Sequence, residues 1–348
     1  MRIETTAVRA ARGESAITSA LLQIGSLETG IPHVPQIDMS TTYGFHSSSS
    51  VADSMDVLLE GGHDAPNPVY ARLHNPTVAR FEDALAQLEG AEAAVAFASG
   101  MAATTALLIA ASLEKSGHRK HVVAVRPVYG GSDHLMSTGM LGTEVTWVDS
   151  ESVGEAIRSD TGLVFIETPA NPTLEVIDIA AVARQIKSAG NRMGASVPLA
   201  VDSTFATPIL QNPIALGADL VLHSATKFLG GHGDVMGGVI ACSKDYAVRL
   251  RQVRMATGGL LHPLGGYLLH RGLQTLPVRV LEQQKNAIEL SERLELHSSV
   301  RSVYFPKYDR GGDVHVAGQM RGPGSVLSFC VHSGIPAADV VERLGLIT

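Results

Sequence analysis

Residues 219–234 read Asp-Leu-Val-Leu-His-Ser-Ala-Thr-Lys-Phe-Leu-Gly-Gly-His-Gly-Asp, and the rest of the chain is interpreted around this stretch. It begins as a short apolar run typical of a buried strand, and then carries Lys227 into a glycine-rich turn. A lysine held between a buried strand and such a turn is expected to be partly desolvated, which leaves a nucleophilic amine. An amine of this kind forms Schiff bases with carbonyl compounds.

A second apolar run, residues 198–201, ends in Asp202. Because the carboxyl ends of parallel strands meet at one crevice of an open sheet, we expect this acid and Lys227 to share a site. Pyridoxal phosphate needs a lysine for its aldehyde, a buried carboxylate for its ring nitrogen, and hydroxyl and N–H groups for its phosphate. The sequence therefore predicts pyridoxal phosphate as cofactor, with Ser224 and Thr226 among its ligands.

Length and composition are those of a globular enzyme. The 348 residues predict about two domains, and 45% hydrophobic residues are enough for a substantial core. Lys and Arg number 27 against 34 Asp and Glu, a net charge of -7, and no block of like charge occurs. This balance argues against a nucleic acid as partner.

The two cysteines and the amino terminus indicate a cellular location. Cys242 and Cys330 each lie in an apolar run, which predicts buried free thiols and a reducing compartment. Residues 1–25 contain no apolar core of the signal-peptide type, and no run approaches membrane-spanning length. These features predict a cytoplasmic protein with no membrane partner.

The order of strand and helix patterns predicts the architecture. Apolar runs alternate with helical patterns between residues 93 and 202, which predicts a mostly parallel sheet with helices on both faces. We expect an extended N-terminal arm in residues 1–60, a large α/β domain in residues 61–255, and a small α+β domain in residues 256–348.

A predicted strand leads directly into a helix at residues 93–113, through Ser99, Gly100 and Met101. The first N–H groups of a helix are unpaired and favour an anion, so this turn is a candidate phosphate site. Taken alone the turn is weak evidence, because many strand-to-helix units contain a similar one.

Three further side chains are candidates for the site. Tyr129, in a loop at a predicted strand end, is placed to stack on a cofactor ring and to act as an acid or base, or else fills the loop structurally. Tyr70 and Arg72 are two positions apart on an extended segment, so they point the same way and are able to grip an anion together. The alternative for Arg72 is a structural ion pair with a nearby acid.

These motifs resemble those of the Cys/Met-metabolism pyridoxal phosphate enzymes: cystathionine γ-synthase, cystathionine γ-lyase, methionine γ-lyase and the O-acylhomoserine sulfhydrylases. The likeness covers residue 40 to the last residue, with specific motifs such as Ser-Ala-Thr-Lys at 224–227 and Glu-Thr-Pro-Ala-Asn-Pro at 167–172. Ser203 stands where the family usually has Asn. The resemblance implies the fold type I of pyridoxal phosphate transferases, which is similar to aspartate aminotransferase.

The resemblance also implies roles for these residues. Lys227 would hold the cofactor and move protons, Asp202 would keep the ring nitrogen protonated, and Tyr129 would assist the leaving group. The backbone of Gly100 and Met101 would bind the phosphate, and Asn171 would lie beside the ring oxygen. Tyr70 and Arg72 would reach the phosphate of a neighbouring subunit, which implies a homo-oligomer built as a dimer of dimers.

The reaction implied by the resemblance is γ-elimination or γ-replacement on a sulfur-containing or O-acylated homoserine-type amino acid, as in trans-sulfuration. Gly131 matches the small residue of cystathionine enzymes rather than the cysteine typical of methionine γ-lyases. O-acylhomoserine sulfhydrylase and methionine γ-lyase activities are the alternatives. The family's arginine for the substrate α-carboxylate lies in a segment that would follow Thr348, so either the C-terminal domain is incomplete here or the substrate is held differently.

Two other classes of protein remain as alternatives. One is a catalytically idle regulatory protein that retained the cofactor fold. The other is a nucleotide-binding enzyme, but Gly231, Gly233 and Gly237 miss the dinucleotide-binding spacing by one residue and no Walker loop occurs. The histidines, including His223 and His232 beside Lys227, form no pattern typical of metal ligands, so no metal site is predicted.

Overall fold

In a computed structural model of the chain, the structure describes residues 3, 5–6, 34–45, 47–114, 117–194, 196–306 and 318–345. The strands are β1 (Ala93–Phe97), β2 (Leu113–Glu114), β3 (Gly117–His118), β4 (His121–Val125), β5 (Glu144–Val148), β6 (Thr161–Glu167), β7 (Leu199–Asp202), β8 (Leu220–His223), β9 (Gly238–Cys242), β10 (Val300–Tyr304) and β11 (Ser328–Val331). The helices are α1 (Ser48–Leu59), α2 (Pro76–Glu89), α3 (Gly100–Ser112), α4 (Gly130–Ser137), α5 (Val153–Ala156), α6 (Ile179–Met193), α7 (Thr207–Leu210), α8 (Lys244–Thr257), α9 (Pro263–Gln274), α10 (Leu276–Glu295) and α11 (Ala337–Glu342).

The main sheet has seven strands in the order β1-β9-β8-β7-β6-β4-β5. Strands β8, β7, β6, β4 and β5 pair in parallel, whereas β9 is antiparallel to both β8 and β1. The prediction of a mostly parallel sheet is therefore confirmed. The parallel arrangement brings the carboxyl ends of β4, β6, β7 and β8 to one edge of the sheet.

Both faces of the sheet are buried, as the near-continuous apolar strands predict. Along β6, Leu163 and Phe165 pack on the face covered by α3 and α8, while Val164 and Ile166 pack on the face covered by α6. Farther along that second face, α2 and α9 cover β8 and β9. The helices thus fix the strand ends from both sides.

The C-terminal part is α+β, as expected, with β10 and β11 forming an antiparallel pair next to α10. In this part of the chain, sequence patterns did not predict helix α9. Its first turn is capped by His262 and starts with a proline, but the glycines that follow weaken the helical signal. Gly266 has a packing reason, since a Cβ there would lie 3.1 Å from Cα of Val78 in α2.

The predicted N-terminal arm is only partly described, because residues 7–33 lie outside the described residues. Residues 35–40 have no regular secondary structure. Residues 48–59 form α1 rather than an extended chain, because Ser47 caps the helix by accepting the N–H of Ser50. A short backbone bridge joins Thr42 to Tyr70. The domain boundaries stay a prediction.

Two results concern membranes and thiols. In the described part of the chain, no helix is long and apolar enough to cross a membrane. Cys242 and Cys330 are both free thiols, the first buried and the second half-buried.

Candidate active site

Two acidic side chains end neighbouring strands of the main sheet. Glu167 is the last residue of β6, Asp202 is the last residue of β7, and the two residues are paired in the parallel register. Their side chains point to the face covered by α3, because residues alternate along a strand and Phe165 and Ala200 pack there. Glu167 is 6% exposed and Asp202 7% exposed, so both carboxyl groups are almost out of contact with water.

Asp202 is connected to the lysine segment through Thr204. The Oδ1 atom of Asp202 accepts the N–H of Thr204 at 3.0 Å and the Thr204 hydroxyl at 2.5 Å. The same hydroxyl oxygen accepts the N–H of Ser224 at 2.9 Å. The two segments singled out from the sequence therefore meet at the edge of the sheet.

Lys227 lies on the turn that follows β8. Its N–H donates to the Ser224 carbonyl at 3.1 Å, and its own carbonyl accepts the N–H of Gly231 at 2.8 Å. The side chain is exposed, so the single chain does not give the lysine the partial desolvation that its sequence context predicted. The reason is that the turn extends past the end of β8 and is not covered by the described residues.

A residue that sequence reasoning missed holds this turn in place. The Arg279 guanidinium, on α10, donates to the carbonyl of Phe228 at 2.8 Å and to that of Gly272 at 2.7 Å. Gly231 has a φ of +73°, and a Cβ there would lie only 1.9 Å from the Arg279 Nη1 atom. A glycine in a left-handed conformation therefore lets the guanidinium reach the residue next to Lys227. No motif signals Arg279, because it lies 51 positions from Phe228 in the chain.

The start of α3 lies against the lysine segment. A Cβ on Gly100 would lie 3.0 Å from the Cβ and Oγ atoms of Ser224. Ser99 caps the helix by accepting the N–H of Ala102 at 3.1 Å, and the N–H groups of Gly100 and Met101 belong to the unpaired first turn. The predicted phosphate residues Gly100, Met101 and Ser224 are thus brought together at a helix N-terminus.

Thr226 joins the lysine turn to the segment that leads into β9. Its hydroxyl donates to the Gly237 carbonyl at 3.2 Å and accepts the Gly237 N–H at 3.1 Å. These bonds fix the hydroxyl beside Gly237, and the role of Thr226 as a cofactor ligand stays a prediction.

Tyr129 lies beside the start of α3. A Cβ on Gly131 would lie 2.6 Å from the Tyr129 Cε1 atom and 3.0 Å from the Met101 sulfur, so the ring lies against the backbone of Gly131. Tyr129 is 49% exposed, and its backbone N–H donates to the Glu167 Oε2 atom at 2.5 Å. The Tyr129 ring and the Met101 side chain therefore lie near the same glycine.

Asn171 lies in the loop after β6, and its N–H donates to Glu167 Oε1 at 2.9 Å. The carbonyl of Pro172 accepts the Ser328 hydroxyl at 2.7 Å, which ties this loop to β11 of the C-terminal part. Asn171 itself is half-buried.

The two carboxyl groups influence each other. Burial, followed by the nearby Asp202, raises the pKa of Glu167 to about 8, against the lowering effect of the Tyr129 and Asn171 N–H groups. Burial also raises the pKa of Asp202, although the hydrogen bonds from Thr204 lower it in part. Among the described residues, neither carboxyl group has a Lys, Arg or His partner at ion-pair distance.

Tyr70 and Arg72 form a pair away from these contacts. The Arg72 guanidinium lies 5.3 Å from the centroid of the Tyr70 ring, which confirms that the two side chains point the same way. Arg72 donates to the carbonyl of Met255 at 2.8 Å rather than to an acid. Both residues are exposed, and no contact within the described part of the chain joins them to the crevice.

These residues fit pyridoxal phosphate. A pair of buried carboxyl groups without a cation suits a protonated ring nitrogen, and the start of α3 suits a phosphate. Glycine at positions 100 and 131 lets the start of α3 lie against Ser224 and the Tyr129 ring lie against the chain, where a Cβ would collide with both. Within the described residues, no group of three His, Cys, Asp or Glu side chains is arranged to hold a metal ion.

Comparison with known proteins gives the same assignment. Residues 21–348 match the family model of the Cys/Met metabolism PLP-dependent enzymes. The chain is 52% identical to an L-methionine gamma-lyase of Brevibacterium aurantiacum over 328 residues, which is 93% of this chain and 78% of that protein. It is 42% identical to the cystathionine gamma-lyase of Bacillus subtilis over 286 residues, which is 80% of this chain and 73% of that protein.

A solved structure shows the same fold. The cystathionine gamma-lyase of Lactobacillus plantarum, complexed with L-serine, is 31% identical and superposes with a TM-score of 0.84 over 100% of this chain and 83% of that chain. The predicted fold type, cofactor and enzyme class are confirmed by these relatives. With the lysine turn, the acid and the helix start gathered at one sheet edge, the chain belongs to the Cys/Met metabolism family of pyridoxal-phosphate-dependent enzymes.

Proposed function

We propose that this enzyme catalyses γ-elimination from a sulfur-containing amino acid, with L-methionine as its first substrate. The products would be a thiol, ammonia and a 2-oxo acid, with one water consumed. The observation that carries the proposal is the connection from Asp202 through Thr204 to the Lys227 segment, in a chain 52% identical to a protein named L-methionine gamma-lyase.

Bound pyridoxal phosphate supplies an electron sink for the carbon atoms next to the substrate amine. Asp202 holds a proton on the ring nitrogen, because a buried carboxylate beside that atom favours its cationic form. The exposed Lys227 amine is free to move protons at Cα and Cβ of the substrate. The Tyr129 hydroxyl, on a half-exposed residue, gives a proton to the departing sulfur.

Cystathionine is the second candidate substrate, and Gly131 favours it. Gly131 matches the small residue of the cystathionine enzymes. A Cβ at this position would lie 2.6 Å from the Tyr129 Cε1 atom, so glycine lets the tyrosine ring lie against the backbone. γ-Replacement on an O-acylated homoserine is the corresponding transferase reaction.

The test is incubation of the purified holoenzyme with L-methionine, cystathionine or an O-acylhomoserine, each with and without cysteine. Mass spectrometry then identifies 2-oxo acid or thioether products. We expect 2-oxo acid and a thiol from methionine, and none from the Lys227→Ala variant. Cofactor binding without product from any of these substrates would instead support the idle regulatory protein.

The proposal includes a homo-oligomer, a dimer of dimers, in which Tyr70 and Arg72 bind the cofactor phosphate of a neighbouring subunit. The supporting observation is that the two exposed side chains stack on each other and have no contact with the crevice of their own chain within the described residues. The two free cysteines support a cytoplasmic location.

A complementation experiment tests the shared site. Arg72→Ala and Lys227→Ala are each expected to be inactive, and unfolding and refolding them together should restore part of the activity. One site of each mixed dimer would then have both intact residues. If Arg72 serves its own subunit, mixing restores nothing.

A further inference from the structure

Glu167 lies beside Asp202 at the edge of the sheet, yet no step of the proposed reaction uses it. It is the last residue of β6, is 6% exposed, and is the register partner of Asp202 on β7. Its Oε2 atom accepts the N–H of Tyr129 at 2.5 Å, and its Oε1 atom accepts the N–H of Asn171 at 2.9 Å. One carboxylate therefore binds the loop after β4 and the loop after β6 at the same time.

These two N–H groups belong to the two residues whose side chains are assigned to the cofactor ring. Tyr129 precedes the first turn of α4 and makes no side-chain cap, and the residue is half-exposed. The hydrogen bond from its N–H to Glu167 therefore holds the backbone from which the ring projects. Asn171 follows Glu167 by four positions, so its bond closes the loop back onto the end of β6. The relative position of the ring and the amide thus depends on one buried group.

A carboxylate is the side chain that suits this task. It has an acceptor oxygen for each of the two N–H groups, whereas a glutamine has one oxygen and would turn its NH2 group toward the other N–H. A buried N–H without an acceptor is destabilising, so with glutamine at position 167 one of the two loops would move away from the end of β6. An aspartate at this position is shorter by one methylene and does not reach both loops from the same strand end.

We propose that Glu167 is a positioning residue of the cofactor site, which sets Tyr129 and Asn171 together against Asp202 without itself touching cofactor or substrate. The inference rests on the proposed ring contacts of Tyr129 and Asn171. It deepens the proposed function because it explains how two loops from different strands keep one geometry at the ring.

The experiment compares the holoenzymes of Glu167→Gln and of a matched control, Glu82→Gln. Glu82 is also buried and its Oε1 atom also accepts a backbone N–H, from Ala96 at 2.7 Å, but it lies on α2 outside the crevice. The readouts are the absorbance and circular dichroism of the bound cofactor, their pH titration, and kcat/KM with methionine.

In Glu167→Gln, the cofactor should remain attached to Lys227 while its dichroic band weakens and its pH titration shifts. We expect kcat/KM to fall by about 10²-fold, the size of effect that a misplacement of about 1 Å produces. In Glu82→Gln the protein should lose stability but keep the wild-type spectrum and titration. A spectrum, titration and kcat/KM within about twofold of wild type in Glu167→Gln would overturn the proposal.

A double-mutant cycle separates positioning from a general structural role. If Glu167 acts through Tyr129, its substitution should cost only about 10-fold in a Tyr129→Phe background, because the hydroxyl that it positions is already gone. Full additivity of the two losses would contradict the proposal.

Two further measurements keep the inference testable in other circumstances. If Glu167→Gln does not fold, hydrogen exchange on the native holoenzyme should show the amides of residues 129 and 171 protected, and rapid exchange of either would overturn the proposal. If the enzyme acts on none of the substrates offered, the cofactor spectra of Glu167→Gln still test the positioning role of Glu167. A failure of the positioning role is therefore distinguishable from a failure of the proposed reaction.

Discussion

Two pairs of buried charged groups in this molecule differ in how they are compensated. Glu82 on α2 and Arg254 on α8 lie 2.6 Å apart, with side chains 3% and 8% exposed. Glu167 and Asp202 are two acids that end neighbouring strands, with no cation from the described residues at ion-pair distance. Burial alone would raise the pKa of Glu82, but Arg254 and Arg251 lower it below its ordinary value. The pKa of Glu167 is instead raised to about 8.

The difference separates a structural pair from a functional one. Arg254 also donates to the carbonyl of Ala96 at 2.9 Å, so the first pair is complete within the chain and ties α2, β1 and α8 together. The second pair is incomplete without a cation from outside. A protonated ring nitrogen is such a cation, which is why the uncompensated pair indicates a cofactor site.

The largest expected effect is on the uncompensated pair. Asp202→Asn keeps the size of the side chain but removes the charge that holds a proton on the ring nitrogen, so we expect kcat to fall by about 10³-fold. Steady-state kinetics on the cofactor-loaded variant measure this. A loss below about 10-fold would mean that Asp202 is not the partner of the ring nitrogen.

Breaking the compensated pair should affect stability rather than chemistry. Arg254→Met leaves Glu82 buried without its ion-pair partner, which is expected to cost about 3–5 kcal/mol. Urea denaturation of the holoenzyme measures the loss, and the folded fraction should keep its kcat. As a control, adding Glu82→Leu to Arg254→Met should restore much of the stability, and failure to do so would show that charge compensation is not what the pair provides.

The raised pKa of Glu167 should make the free energy of unfolding depend on pH. The pKa of Glu167 is raised from 4.5 to about 8, so between these values the folded protein binds more protons than the unfolded one. The free energy of unfolding contributed by this group is therefore highest at low pH and falls as the pH rises from about 4.5 to 8. Denaturation of the cofactor-free protein across this window should show the fall, and Glu167→Gln should flatten it. An equally steep fall in the variant would assign the effect to other groups.

The smallest expected effect concerns the lysine turn. Arg279→Lys replaces a planar group that reaches two carbonyls with an ammonium that does not match both, so the turn carrying Lys227 should shift. We expect kcat/KM to fall by about 10-fold, with the cofactor still attached. Lys285→Arg, on the exposed side of the same helix, is the matched control and should have no effect. No change in Arg279→Lys would show that the turn is held without the guanidinium.

Much of this arrangement was predictable from the sequence, for physical reasons. The apolar runs ending in Asp202 and preceding Lys227 predicted two strand ends at one crevice, because parallel strands align their carboxyl ends. The Ser-Gly turn predicted the helix start at Gly100. These are local signals, each carried by a few adjacent residues.

The rest depends on contacts between distant parts of the chain. Arg279 meets the lysine turn across 51 positions, and Glu167 meets Tyr129 across 38, so no local pattern announces either contact. The bond between the Thr226 hydroxyl and Gly237, 11 positions away, likewise has no local signal. The exposure of Lys227 was likewise not predictable, because strand burial was extrapolated to a turn that the chain leaves uncovered.

The most direct test of the central claim is to find where the cofactor is attached. Borohydride treatment of the holoenzyme fixes the cofactor to its lysine as a secondary amine, and peptide mass spectrometry then locates the label. We predict one label per chain at Lys227, absent from the Lys227→Ala variant. A label at another lysine, or a bound cofactor that borohydride does not fix to the chain, would contradict the account.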